Sequence, residues 1–207
     1  MAISYPLTLP TTGIASIEWE SGDNVAISAS PFTNYEQVHR HPGHDLSAVV
    51  TLPPMKQVDA EIWIAWLRSL RGVEGTFLMG DPLKTSPLGS AGGTPLVAGA
   101  DQVGDSIDID GAALSQTGWL KAGDYINLGA AADGAWHQVL VDVDTNGSGE
   151  ATIDVWPSIN IAPADNDPIV TSNTTGIFRL ATNKINWSVN NASIYGISFS
   201  VTQVGEG

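Results

Sequence analysis

The sequence predicts a mainly β fold of sandwich or barrel type with a single α-helix. Three observations predict it. Short segments alternate apolar and polar residues at a period of two. Gly (22) and Pro (12) punctuate these segments at close intervals. Only one stretch of the 207 residues carries a helical repeat. With 14 % charged and 43 % hydrophobic residues, the chain has the balance of an ordered protein that buries a core.

The helical stretch lies between Pro53 and Pro82. Met55, Val58, Ile62, Trp63, Trp66, Leu67 and Leu70 recur at spacings of three and four, which gathers them on one side of a helix. At about 100° per residue, Val58, Ile62, Trp63, Trp66, Leu67 and Leu70 form the core-facing arc, with Gln57, Glu61, Arg68 and Arg71 opposite. Ile64 falls among the polar residues. It is therefore expected at the surface, as a contact for a neighbouring subunit. Pro53 and Pro54 are expected to open the helix, and Gly72 to end it in the left-handed region.

Strands are expected on both sides. Ile17 and Trp19 alternate with polar residues, Ser21-Gly22-Asp23-Asn24 reads as a turn, and Val25, Ile27 and Ala29 alternate again up to Pro31. Leu46, Ala48, Val50 and Leu52 share one face, and Thr76–Met79 follows the helix as a short strand. Residues 83–95 (LKTSPLGSAGGTP) have linker composition. Beyond them, Ser106–Ile109, Tyr125–Leu128, Gln138–Val143 and Ala151–Trp156 read as strands. Val139, Val141 and Val143 are expected on one face, joined through an Asn146-Gly147 hairpin turn to Ile153 and Val155. Residues 157–175 are loop-like. Alternation returns at Ile185, Trp187 and Val189, then at Tyr195, Ile197, Phe199 and Val201. The expected organisation is a discontinuous domain, 1–82 plus 176–207, carrying an inserted β domain, 95–172, through linkers 83–94 and 173–175. The C-terminal strands and the helix each need the other's apolar face.

The absence of Cys excludes a disulfide framework and a thiolate zinc site. A formal charge of −14, with only 8 Lys and Arg, disfavours a phosphate-binding surface. MAISYPLTLP has neither a basic region nor an apolar stretch of signal length, and no run approaches membrane-spanning length.

Candidate chemistry is sparse. His39, His41 and His44 would need a fourth donor to hold a metal, and Pro42-Gly43 makes a solvent-exposed turn the better reading. Asp142, Asp144, Asn146 and Gly147 open like a calcium loop. Its twelfth position is Ile153 where a bidentate Glu is needed, so a hairpin turn with acidic flanks is preferred. Asn146, Asn173, Asn186 and Asn191 stand in Asn-x-Ser/Thr triplets, read as a by-product of composition. Trp119, Trp136 and Trp156 could form a sugar-stacking platform; core or subunit contacts are the commoner use of such residues. Nothing sets a nucleophile beside a base. No catalytic, cofactor-binding or metal-ligating residue is expected, and no enzymatic activity.

Several stretches together resemble the distal tail proteins of long-tailed phages. They are Ser30-Pro31-Phe32-Thr33, Glu36-Gln37-Val38, Val50–Met55, the Ala60–Leu70 helix, Gly75–Pro82, Leu120–Tyr125, Trp156-Pro157, Ala162–Asp165 and Trp187-Ser188-Val189. The resemblance covers most of the chain. It implies a hexameric ring at the end of the tail tube, in a virion assembled in the host cytoplasm. The split "belt" domain would make the ring, and a small galectin- or OB-like β-barrel would point outward. The implied partners are the tube, the tail-tip hub, and also the tape measure and tail fibres. DNA would pass through the lumen without specific binding, and no cofactor or membrane is implied. The acidic balance is compatible with that passage, since like charges repel. The alternative reading is a carbohydrate-binding tail module that contacts host glycan.

Overall fold

The computed structural model describes residues 3–129 and 135–204. Among them the fold is mainly β, with one helix. Two compact units are present. Of the described residues, the first takes in 3–20, Leu46–Leu83 and 175–204; the second takes in Ser21–Asp45 and those of Lys84–Thr174. Residues 21–45, counted with the first domain in the sequence, cluster with the second. The last three residues of the expected 176–207 segment lie outside the described residues.

The first unit is built on an antiparallel sheet. Its order is β1 (Ser16–Ala29), β2 (Glu36–Thr51), β13 (Ile194–Gln203), β11 (Gly176–Leu180) and β4 (Thr76–Met79). Two short strands, β3 (Met55–Lys56) and β12 (Asn186–Val189), also pair with β13. Register follows the alternation: Val50 lies opposite Phe199 and Ala48 opposite Val201, all four buried. The other face of these strands carries Ser47, Val49, Thr51, Ser198, Ser200 and Thr202, small and uncharged. Such one-sided burial is what an antiparallel sheet allows.

Helix α1 (Gln57–Ser69) covers the buried face. Trp63 meets Phe199 at 6.1 Å between ring centroids and Trp66 meets Phe77 at 5.0 Å. The N-terminal segment straps over the helix: Trp66 Nε1 donates to the Thr8 carbonyl (2.8 Å), Trp63 Nε1 to Thr12 Oγ1 (2.5 Å) and Tyr5 OH to the Ser69 carbonyl (2.6 Å). Arg71 (φ 53°) and Gly72 (φ 73°) end the helix in the left-handed region, as expected of Gly72. The prolines precede β3 instead of opening the helix, whose N-cap is Lys56.

The facing of the helix differs from the expected arc by about 70°. Ala60, Trp63, Ile64, Leu67 and Leu70 are buried, Ile64 to 4 % exposure, whereas Val58 (76 %) and Ile62 (52 %) stand in solvent. The cause is the indole N–H groups. They need acceptors, which the N-terminal strap offers on one flank. With both Trp on that flank, Ala60 and Ile64 complete the buried arc on the other. Ile64 is core, not a surface contact.

The second unit is a six-stranded antiparallel sheet. Its strands are β5 (Gly93–Val97), β6 (Gly104–Ala112), β7 (Tyr125–Leu128), β8 (Ala135–Val139), β9 (Ala151–Ile159) and β10 (Ile169–Val170), in the order β10-β7-β8-β9-β6-β5. Val97 donates its N–H to Asp167 (2.9 Å) and accepts from Asn166 (3.0 Å), so the sheet nearly closes into a barrel. Ile107 lies opposite Ile153 and Val139 opposite Val155, around Trp119, Leu120 and Ile126.

Local signals misled at several places. Ser21–Asn24 does not turn, because β1 runs through it, paired with β2. Asn146-Gly147 is not a two-residue hairpin. β8 ends at Val139, and residues 140–150 fold against the 113–120 loop, with Val143 buried and bridged to Leu120 and Val141 exposed. Nor are residues 84–94 a free linker. The Leu88 and Gly89 N–H groups bind buried Asp124 (2.7 and 3.1 Å), which also accepts from Lys121 N–H at 2.8 Å. Asp124→Asn turns an amide donor toward these donors and should cost the barrel about 2 kcal/mol in urea unfolding. An unchanged midpoint would show that the segment is held by other contacts.

Candidate functional site

The candidate site is the arm formed where β1 and β2 run past their sheet as a two-stranded ribbon, residues 21–43. Its turn is closed by Ser30 N–H on the Tyr35 carbonyl (2.9 Å) and Asn34 N–H on the Ser30 carbonyl (2.9 Å). Asn34 takes φ 52°, a conformation Asn tolerates better than most residues. Both faces of the ribbon are exposed. Period two places Asp23, Val25 and Ile27 on one face of β1, and Val38 and Arg40 on one face of β2. Asp23 and Arg40 both reach the barrel, so these are the same face.

Three contacts anchor the base of the arm within the second unit. Arg40 donates from Nη1 to Asp105 Oδ2 (2.8 Å) and from Nη2 to Ser158 Oγ (3.0 Å), and Ser158 Oγ donates to Asp105 Oδ1. The Ser158 hydroxyl first, and the Arg40 guanidinium second, hold the Asp105 carboxyl below its usual range. Trp156 Nε1 donates to Asp23 Oδ1 (2.8 Å), and His44 packs edge-on to the Trp156 ring. A groove of about 570 Å³ opens beside this anchor, walled by Pro42, Val103, Gly104 and Ile159. Farther along the arm Val25, Ile27 and Val38 are exposed, and Phe32 at the tip is 94 % exposed.

The sequence candidates fall elsewhere. The three histidines do not converge. His39 and His41 stack edge to face on the arm (4.7 Å between centroids), while His44 turns to Trp156. Pro42-Gly43 is not a turn, since β2 passes straight through it. Among the described residues no group of three His, Asp or Glu could hold a metal ion. Asp142 accepts from Lys121 Nζ (2.7 Å) and Ala122 N–H (2.9 Å), and the lysine first, the amide second, lower its pKa. Asp144 accepts from Gly118 N–H (2.6 Å), so the two carboxylates brace different points of the 113–122 loop. Neither family models nor curated proteins match this chain.

The sugar platform is dismantled by burial. Trp119 is enclosed and donates to the Gly92 carbonyl (2.8 Å). Trp136 is buried, stacked on Tyr125 at 4.5 Å, and donates to Thr174 Oγ1 (3.2 Å). Trp156 alone of the three is half-buried. Among the described residues no helix is long and apolar enough to cross a membrane.

The arm was missed in the sequence because its turn signals, Ser21–Asn24 and Pro42-Gly43, suggested breaks where the strands are continuous. One sign was available. Val25, Ile27 and Val38 alternate on strands with no apolar partner on the opposite face.

Proposed function

We propose that this chain is a structural ring component of a phage tail tip, joining the tail tube to the hub, and not an enzyme. The observation that carries the reading is the arm. A two-stranded ribbon is marginal in water by itself, and this one presents Val25, Ile27, Phe32, Tyr35 and Val38 to solvent. Exposed apolar surface on a long ribbon is the signature of a surface completed by another subunit. An arm that reaches a different patch on the next copy makes a head-to-tail contact, which closes into a ring when the rotation allows. The resemblance to distal tail proteins supplies the number six, the tube and hub as partners, and the virion as location.

Light scattering and negative-stain imaging of the purified chain test this. A ring of defined order is expected. Replacing residues 24–41 by a two-residue turn should leave both units folded and abolish the ring. A wild-type chain that stays monomeric at high concentration would sink the proposal.

A further inference from the structure

We infer that the receiving surface for the arm is the outward stripe of α1 in a second copy, a reading that rests on the ring proposed above. That stripe is Val58, Ile62 and Ala65, at spacings of four and three, all exposed. The opposite side of the same helix is already buried on its sheet. A surface helix normally keeps one apolar stripe and one polar face. Here a second apolar stripe is left uncovered.

Shape and charge both select the partner. The stripe is convex, a helical ridge. The groove at the base of the arm, lined by Arg40, Pro42, Val103 and Ile159, is concave, and Val25, Ile27 and Val38 stand exposed on the arm itself. A helix laid in such a groove buries its ridge residues as in helix-in-groove recognition. Charge decides between like and unlike contacts. Residues 21–45 and 84–174 hold fifteen of the 22 carboxylates and only three of the 8 cations. Two surfaces of the second unit would therefore repel one another. The first unit carries the other five cations, among them Lys56 and Arg68 at the two ends of α1, both exposed. Among the described residues, neither ion pair involves them. The arm offers Asp23 and Glu36, and its single cation, Arg40, is committed to Asp105. The helix stripe of one copy and the arm of the next are thus matched in shape, polarity and sign. The contact is head to tail, because neither surface is its own complement.

The chain has no cysteine, so single thiols report the contact directly. Full-length Ile62→Cys and Ile27→Cys variants are mixed and treated with a short bis-maleimide. A second pair, Val58→Cys with Val38→Cys, guards against an unlucky thiol geometry. All four positions are exposed, and circular dichroism checks that each variant folds. The expected result is a cross-linked dimer in each mixture, none from any variant alone, and a ladder ending at the ring number from a variant bearing both thiols. Cross-linking of Ile62→Cys with itself would overturn the inference in favour of a like-to-like contact. No cross-link in either mixture, with light scattering still reading a ring, would overturn it and leave the ring standing. A chain that scatters as a monomer would remove both.

Discussion

Ile64→Asp is expected to unfold the helix-bearing unit and not merely to loosen an assembly. Ile64 is 4 % exposed on the buried side of α1, between Ala60 and Leu67. A carboxylate there has no partner in an apolar surround, so it must either be buried charged or take up a proton at a cost. Buried unpaired charge belongs to the extreme tail of point substitutions, at about 4 kcal/mol or more. A domain of ordinary stability, about 5–15 kcal/mol, barely tolerates such a loss. The contrast is internal to one helix. Val58→Asp and Ile62→Asp lie on the exposed stripe and, in chain diluted to monomer, should change the unfolding free energy by no more than about 0.5 kcal/mol. Circular dichroism and urea unfolding of the three variants check it. If Ile64→Asp unfolds at the wild-type midpoint, the facing described for α1 is wrong.

The second large effect is a loss of barrel stability in mild acid. His137 on β8 is 1 % exposed, with Nδ1 2.8 Å from the Pro157 carbonyl oxygen. Burial pushes its pKa down to about 4, the Pro157 carbonyl opposes that shift, and nearby His44 adds slightly to it. The sign follows from proton binding. Between the unfolded value of 6.5 and the folded value of about 4, the unfolded chain holds a proton that the folded barrel refuses. Stability is therefore complete above pH 6.5 and falls as pH drops toward 4. At about 1.4 kcal/mol per unit, the whole window is worth about 3 kcal/mol. Roughly 2 kcal/mol of that is lost by pH 5, before most carboxylates titrate. Urea unfolding at pH 7.5, 6.5, 5.5 and 5.0, followed by the fluorescence of the buried barrel tryptophans, reads this slope. His137→Phe should be less stable at pH 7.5 and nearly flat across the window. A wild-type slope that His137→Phe leaves unchanged would assign the effect to other groups.

The class of the fold and many of its strands were legible in the sequence, because they depend on local periodicity. Tyr125–Leu128 and Thr76–Met79 appear at their expected bounds. The faces of Leu46, Ala48, Val50 and Leu52, and of Ile153 and Val155, point inward as alternation required. The end of α1 at Gly72 was equally local, since glycine enters the left-handed region at no steric cost.

Three features depended on partners far along the chain, and no local pattern encodes them. The rotation of α1 was set by Thr8 and Thr12, which accept from its two Trp about fifty residues on. The continuity of β1 through Ser21–Asn24 was set by pairing with β2, which outweighs turn preference as tertiary context often does. The fate of the candidate site residues was decided the same way. Trp119 and Trp136 were drawn into the barrel because the Gly92 carbonyl and the Thr174 hydroxyl accept from them. Asp142 and Asp144 were divided between Lys121 and Gly118. By itself the sequence determined which residues must leave water; where each went was decided by the acceptors, donors and paired strands that folding brought within reach.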